Sequence, residues 1–413
     1  MNRLIFRRAS AVAVVFALLL GMTGSLASVF GQAHRVPPTT NQKKNKRPAE
    51  GEKQGDEKQE EPLPKDIVGK PQEAETISIT TQLVDVDAVV YSKKNGQIIT
   101  GLKKENFAIF EDGVQKEITN FSTPDAPITV AMVVEYSKLT ETLGYYGSSG
   151  MDNGTDEVIR PVAMFLSQFV HPPQDYVSVV AFDMRPTPLT DFTNDPTRIN
   201  QVITLLLRNR PAFRETNLFD ALKFVLVGGR GDSVVLDNSK EEKSEYAGLA
   251  SVKGRRTAVI LVASGIDTFS KTNYSQARKV AQNAGVPIFI IGTGEIFFKK
   301  YESQLPPEDG ITGSPGRMTF LQAKNTLKTF AQETGGMYFP VTFPGELPKV
   351  LQSINAVLRN QYSLGFNPGD SARDGKQHKL LVKVDVNGDG QYDDKEFVVQ
   401  ARPFYNAPKS SDK

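Results

Sequence analysis

Apolar positions along the chain fall into two regimes. From Ile128 to about Gln361, unbroken apolar runs alternate with stretches whose apolar residues recur every three or four positions. The runs ITVAMVVEYS (128–137), DYVSVVAFD (175–183), RRTAVILVASGIDTFS (255–270), VPIFIIGTG (286–294) and GMYFPVT (336–342) predict strands. Continuous runs of this kind suit strands covered on both faces. The intervening stretches predict helices. One spans 158–170, with Pro161 expected in its first turn, where a missing N–H is harmless. A second follows the N-cap and N1 pair Asp195-Pro196 and carries Ile199, Val202, Ile203 and Leu206 on one face. Others are expected at 217–229, ended by Gly228 and Gly229, and at 274–284, ended by Gly285. A fourth face holds Phe320, Ala323, Leu327, Phe330 and Ala331, stopped by Gly335-Gly336. Leu347, Val350, Leu351, Ile354, Val357 and Leu358 mark the final helix. This alternation predicts an α/β fold: a doubly wound, mostly parallel sheet with helices on both faces. Residues 230–254 read as a polar loop.

The flanks follow the other regime, with apolar residues at every second position. Val84, Val86, Ala88 and Val90 alternate with polar neighbours, and Asn95-Gly96 and Asp112-Gly113 supply tight turns around Phe107 and Ile109. QYSLGF (361–366), HKLLVKVDV (378–386) and EFVVQARPF (396–404) return to strand at the other end. Small β-modules are therefore expected at 77–124 and 362–405 around an α/β domain at 125–361, with a tail at 406–413. The two flanks could pair in one small sheet. Ahead of them, Arg3, Arg7 and Arg8 precede AVAVVFALLLG (11–21), which reads as a signal peptide over 1–33, with an uncleaved anchor as the rival reading. Small residues at Ser25 and Ala27, or Gly31 and Ala33, offer cleavage sites. Residues 34–76, rich in Pro, Lys, Glu and Gln, cannot bury enough apolar surface to offset chain entropy and read as a disordered linker. The expected location is outside the cytoplasm: periplasm, cell surface or secreted, with no integral membrane span after signal cleavage.

Composition narrows the chemistry. The 413 residues carry a formal net charge of +2, too balanced to argue for a nucleic-acid partner. There is no Cys and no Trp. That removes disulfides, thiolate catalysis and thiolate zinc sites. With three histidines, His34, His171 and His378, a histidine-rich metal or hydrolase centre has little to build on. No phosphate loop and no nucleophile–base pair is apparent.

Candidate binding residues collect at strand ends. In an open α/β sheet ligands bind beyond the carboxyl ends of the strands. Glu135 and Ser137 close one predicted strand, Asp183 another, and Ser264 and Asp267 a third, while FRETNLFDAL (213–222) places Thr216 just before a helix. These features resemble a von Willebrand factor type A domain, a Rossmann-type fold whose family holds a divalent cation with an Asp-x-Ser-x-Ser motif, a Thr and an Asp. EDGVQKEITNF, TDFTND, FRETNLFDAL, SGIDTFSK and QYSLGF, in this order, are similar to an exported VWFA-related family of Acidobacterial type, from about Ile77 to Pro403. On that resemblance Glu135 stands at the family's first Asp, Ser137 at its first Ser, Leu139 at its second Ser, Thr216 at its Thr and Ser264 at its final Asp. Leu139 cannot coordinate and Ser264 removes a charge, so the adhesion site is degenerate and Mg²⁺ there is in doubt; Asp183 and Asp267 are the available compensators. The bland alternative is a metal-free polar rim on a retained fold.

A second constellation lies elsewhere. DVNGDGQYDDKE (385–396) fits the twelve-residue calcium-loop template. Asp385, Asn387 and Asp389 take positions one, three and five, Gly390 position six, Gln391 a backbone carbonyl at seven, Asp393 position nine and Glu396 the two-oxygen clamp. Its flanks read as strands, so the alternative is a hairpin whose Asn-Gly and Asp-Gly pairs simply turn the chain. Ca²⁺ of weak, extracellular-type affinity is the cofactor expected. Arg230-Gly231-Asp232 is a tripeptide of the kind that arises by chance, Gly292-x-Gly294 lacks a third glycine, and GYYGSSG (144–150) reads as a mobile insertion. The functional expectation is a non-enzymatic module that recognises a protein or glycan partner of the envelope or exterior through direct polar contacts at the carboxyl edge. The rivals are a hydrolase using Glu135, Asp183 or Asp267, and a structural spacer locked by calcium.

Overall fold

The computed structural model describes residues 83–124, 126–144, 154–170, 174–231, 244–311 and 313–409. The signal peptide, the linker, the GYYGSSG insertion beyond Gly144, Asp232 and the end of the tail lie outside the described residues. In chain order the elements are β1 (Val84–Ser92), β2 (Phe107–Glu111), β3 (Val114–Lys116), β4 (Ile118–Ser122), β5 (Ile128–Glu135), α1 (Lys138–Leu143), α2 (Gly154–Phe169), β6 (Tyr176–Phe182), β7 (Pro186–Thr193), α3 (Pro196–Arg208), α4 (Leu218–Val227), β8 (Gly229–Gly231), β9 (Ser244–Tyr246) and β10 (Arg256–Ala263). They continue with α5 (Tyr274–Ala284), β11 (Ile288–Gly292), α6 (Gly294–Tyr301), α7 (Arg317–Thr334), β12 (Tyr338–Pro340), α8 (Leu347–Arg359), β13 (Tyr362–Phe366), β14 (Gln377–Val384), β15 (Phe397–Ala401) and β16 (Phe404–Asn406).

The apolar runs form a six-stranded sheet in the order β12-β11-β10-β5-β6-β7. Its first five strands are parallel and β7 closes one edge antiparallel. Side chains alternate between two cores. Ile128, Val130, Met132 and Val134 of β5 face α2, α3 and α8. Ala131 and Val133, together with Val259, Leu261 and Ala263 of β10, face α4, α5 and α7. Helices on both faces explain why these strands carry no polar alternation. β7 was not predicted: Pro186 and Pro188 obscure it, and an edge strand is where a sheet tolerates proline.

Four expectations require correction. Helix α2 begins at Gly154, so Pro161 sits in its interior rather than its first turn. Gly144 packs against the start of this helix, where a Cβ on it would lie 2.2 Å from the Gly154 Cα. The stretch 230–254 is no simple polar loop: β8 pairs with β9, and Tyr246 and Leu249 are buried against α4. The two flanks do pair with each other, but in two sheets rather than one small sheet. Sheet β15-β1-β13-β4 and sheet β16-β14-β2-β3 each mix early and late strands and share one apolar core built from Val84, Val86, Ala88, Ile109, Leu364, Phe366, Val382 and their neighbours. Finally, the C-terminal hairpin does not exist. β14 pairs with β2 and β16, whereas β15 pairs with β1, so 385–396 crosses from one sheet to the other. Alternation shows which side chains face inward, but both strands face the same core from opposite sheets, so the pattern alone cannot distinguish this from a hairpin.

Candidate functional site

β5 and β10 are neighbours and parallel, with Val134 level with Val262, so their last residues meet at one edge. The Glu135 side chain bridges them. The backbone N–H of Ser264 donates to its Oε2 (2.6 Å) and the Ser137 hydroxyl to its Oε1 (3.2 Å). Ser137 also N-caps α1, accepting the N–H of Thr140 (3.2 Å), and the Thr140 hydroxyl donates to the Glu135 carbonyl (3.4 Å). The Glu135 carboxyl is only 2 % exposed, and burial pushes its pKa up despite the donors from Ser264, Ser137 and Thr140.

Thr216 is fully buried and donates to the Ile266 carbonyl (2.6 Å), while its N–H donates to the Thr268 hydroxyl (2.9 Å). Asp267 turns away to the start of α4: it accepts the N–H of Phe219 (3.3 Å) and the hydroxyl of Ser270 (2.5 Å). Asp183 is tied to this edge through its carbonyl, which accepts the Asn217 N–H (2.7 Å), and its carboxylate accepts the Arg185 N–H at 3.4 Å. Burial raises the pKa of both aspartates. The edge thus gathers Glu135, Ser137 and Ser264, ties Thr216 to Ile266 and Thr268, and directs Asp183 and Asp267 to other partners.

Sequence reasoning missed what covers this edge. Leu139 and Leu143 of α1, Ile266, Phe298 of α6, and Phe320 and Ala323 of α7 form a separate apolar cluster, with Phe297 and Leu305 against it. Leu139, the position where the resemblance implies a hydroxyl ligand, is buried in this plug. A void of about 10 Å³ lies between Thr140, Leu143, Gly144, Gly154, Val158, Ser264, Thr293 and Ile296, room for about one water. Asp220 was also overlooked. Its two oxygens accept the N–H groups of Lys271 and Thr272 (2.9 Å each) and pin the loop after β10 to α4. The only sequence signal was the hydroxyl and acid spacing of SGIDTFSK facing NLFDAL.

Two consequences correct the expectations. Glu135, Ser137, Thr216 and Ser264 are buried, so they cannot make direct polar contacts to a macromolecule. A dication does not fit either: Glu135 has both oxygens engaged by this chain's own donors, Leu139 offers none, and Ser264 brings no charge. The exposed side chains flanking the edge are others. Phe213 (44 % exposed) and Phe269 (50 % exposed) belong to segments bonded at this edge: the Lys138 N–H donates to the Phe213 carbonyl (2.7 Å) and the Phe269 N–H to the Thr216 carbonyl (2.9 Å). Arg214 reaches the Gly313 carbonyl (3.4 Å), linking this rim to the loop after α6.

In the 385–396 segment, Asp385 is buried and its carboxylate is satisfied by backbone. Oδ1 accepts the N–H of Gly388 (2.7 Å) and Asp389 (3.2 Å), and Oδ2 that of Gly390 (2.8 Å). Gly388 and Gly390, at φ 75° and 84°, curl the chain around it. Asn387 accepts the Asp389 N–H, Asp389 the Gln391 N–H, and Asp393 the Val386 N–H. Glu396 is held through its backbone, donating to Asp393 and accepting from Lys93. These turns are closed by backbone donors, and among the described residues no three acidic or histidine side chains converge to hold a metal ion.

No family model matches the sequence, and no curated protein matches it. Solved structures are similar to it at low identity. The PilB minor pilin from Streptococcus sanguinis is 13% identical over 57% of this chain and 61% of its own, with a TM-score of 0.36. Proximal thread matrix protein 1 from the mussel byssus is 15% identical over 60% of this chain and 50% of its own, TM-score 0.38. The vWF domain of the type V pili tip protein Mfa5 from Porphyromonas gingivalis is 14% identical over 57% of this chain and 96% of its own, TM-score 0.34. The chain therefore spans less than two thirds of the length of the first two. Among the described residues no helix is long and apolar enough to cross a membrane.

Proposed function

We propose that this chain is an exported, non-enzymatic, VWA-like recognition module that binds a protein or glycan partner through the surface over the carboxyl ends of its central strands. The observation that carries the reading is the division of labour at that edge. The polar residues that the fold family would offer to a ligand are buried and bonded to one another, whereas Phe213 and Phe269, on segments bonded to Lys138 and Thr216 at the same edge, are half exposed. Exposed aromatic side chains and arginine are the residue types that anchor protein interfaces. A hydrolytic reading is less well supported, because Glu135 has 2 % of its surface exposed and Asp267 is committed to the start of α4.

The test measures binding of the full chain to arrayed glycans and immobilised envelope proteins, with F213S/F269S and E135Q beside it. Binding should fall at least tenfold in the double variant and persist in E135Q. Equal binding by the double variant overturns the surface. Turnover of a glycoside, ester or peptide probe that disappears in E135Q overturns the non-enzymatic reading.

A further inference from the structure

Outside the central edge, one ionisable cluster has a geometry that a neutral ring cannot satisfy. His378 lies on β14 opposite Tyr405 of β16, with their rings stacked at 5.3 Å and the imidazole almost wholly buried. Its Nδ1 is 2.8 Å from Asp112 Oδ2 and its Nε2 is 3.0 Å from Asp374 Oδ1. Ionised carboxylates only accept hydrogen bonds, so both ring nitrogens must carry protons for both contacts to hold. A neutral imidazole has one N–H and one lone pair, and the lone pair would face a carboxylate.

The two aspartates come from different segments. Asp112 sits in the β2–β3 turn at φ 49°, and its other oxygen accepts the Lys379 N–H of β14 (2.8 Å). That second bond keeps the turn docked whatever the histidine does. Asp374 ends the 369–374 segment leading into β14, and its remaining partners are the N–H of Lys376 (2.9 Å) and the Lys376 ammonium (3.8 Å), both nearby in sequence. The backbone of this segment also pairs with 407–409 (Gly375 N–H to the Pro408 carbonyl, 3.2 Å; Ala407 N–H to the Lys376 carbonyl, 2.8 Å), so the histidine contact is the side-chain tie of Asp374 to β14 and not its sole anchor. The other charged neighbours are accounted for. Glu111 is held by Lys116 (2.8 Å), the Ser371 hydroxyl (3.0 Å) and the Tyr405 hydroxyl, Lys379 adds positive charge beside Asp112, and the Lys409 backbone pairs with Asp374.

We propose that His378, clamped between Asp112 and Asp374, is a pH-sensitive latch on the β-sandwich, closed while the ring is doubly protonated and loosening the 370–376 segment when it loses a proton, which leaves that segment only its backbone bonds to 407–409 and the Ser371–Glu111 contact. Burial by itself lowers the pKa of His378, but the hydrogen bonds to Asp374 and Asp112 outweigh it and leave the group above its ordinary 6.5. A raised histidine pKa stabilises fully below the unfolded value and is lost as pH rises through the folded value. The bond to His378 lowers both aspartates from 3.8, so their share is present above that value and lost in acid. The latch is accordingly closed in mild acid and opens on the alkaline side of the histidine titration.

Hydrogen exchange of the full chain at pH 6 and pH 8, corrected for intrinsic rates, tests this. Protection of amides 370–376 relative to those of β2 should fall at least threefold at pH 8 in the wild type. In H378Q, and independently in D374N, it should be low at both pH values. The D374N arm, at a partly exposed loop residue, keeps the test decisive if H378Q folds poorly. Equal corrected protection at the two pH values in the wild type, or a His378 resonance titrating at or below the ordinary histidine value, overturns the latch.

Discussion

Replacing Glu135 by glutamine and by alanine separates a structural carboxyl from a ligand or an acid–base group. Glutamine keeps the shape. Its carbonyl can accept the Ser264 N–H, and its amide can donate to the Ser137 hydroxyl, which already accepts from Thr140. It also removes the need to bury a charge at neutral pH. Stability should therefore change by no more than about 1 kcal/mol. Alanine loses the burial of one methylene, about 0.8 kcal/mol. It also strands the buried Ser264 N–H, which costs about 1–3 kcal/mol. The sum is about 3 kcal/mol, or a fall in Tm of roughly 6–12 °C for a domain of this size. The pH dependence gives a second readout. Burial raises the folded-state pKa of Glu135 above its ordinary 4.5, so its contribution is full below that value and declines as pH rises through the folded one. The glutamine variant lacks that decline. Denaturant melts at pH 5 and pH 8 check both points. If glutamine is as damaging as alanine at pH 8, the charge itself is needed, and the reading of Glu135 as a bridge between β5 and β10 is refuted.

Leu139→Ala should cost about 3 kcal/mol by opening a cavity among Ile266, Phe298 and Phe320, measured by denaturant midpoint; a change under about 0.5 kcal/mol shows that the plug is not packed as described. Gly265→Ala should destabilise by more than about 1 kcal/mol, because the site has φ 85° and an added Cβ would lie 2.8 Å from the Leu327 side chain. If 385–396 rearranges so that its carboxylates turn from backbone donors to Ca²⁺ with a Kd of about 1 mM, 5 mM Ca²⁺ would add roughly 1 kcal/mol, a rise in Tm of about 2–4 °C. An unchanged Tm shows that the loop stays closed on its own N–H groups. D385N/E396Q should abolish that rise, and a rise that survives the double substitution locates the ion elsewhere.

The sequence by itself determined the α/β character of the centre. Runs such as Ile128–Val134 and Val259–Ala263 have no polar face and require helices on both sides, and the period-three-to-four faces supply them. It also put Glu135, Ser137 and Ser264 at strand ends that meet, because adjacent parallel strands finish at the same edge. What it left open depended on partners distant along the chain. Whether Glu135 faces solvent or the Ser264 N–H depends on a neighbour 129 residues away, and whether Leu139 is a lost ligand or part of a plug depends on Phe298 and Phe320. The same holds for the flanks. Strand periodicity in Leu380–Val384 and Phe397–Ala401 is local, but which sheet each joins is chosen by β2 and β1, at the other end of the chain. Local alternation encodes which side of a strand is buried; only tertiary packing decides what it is buried against.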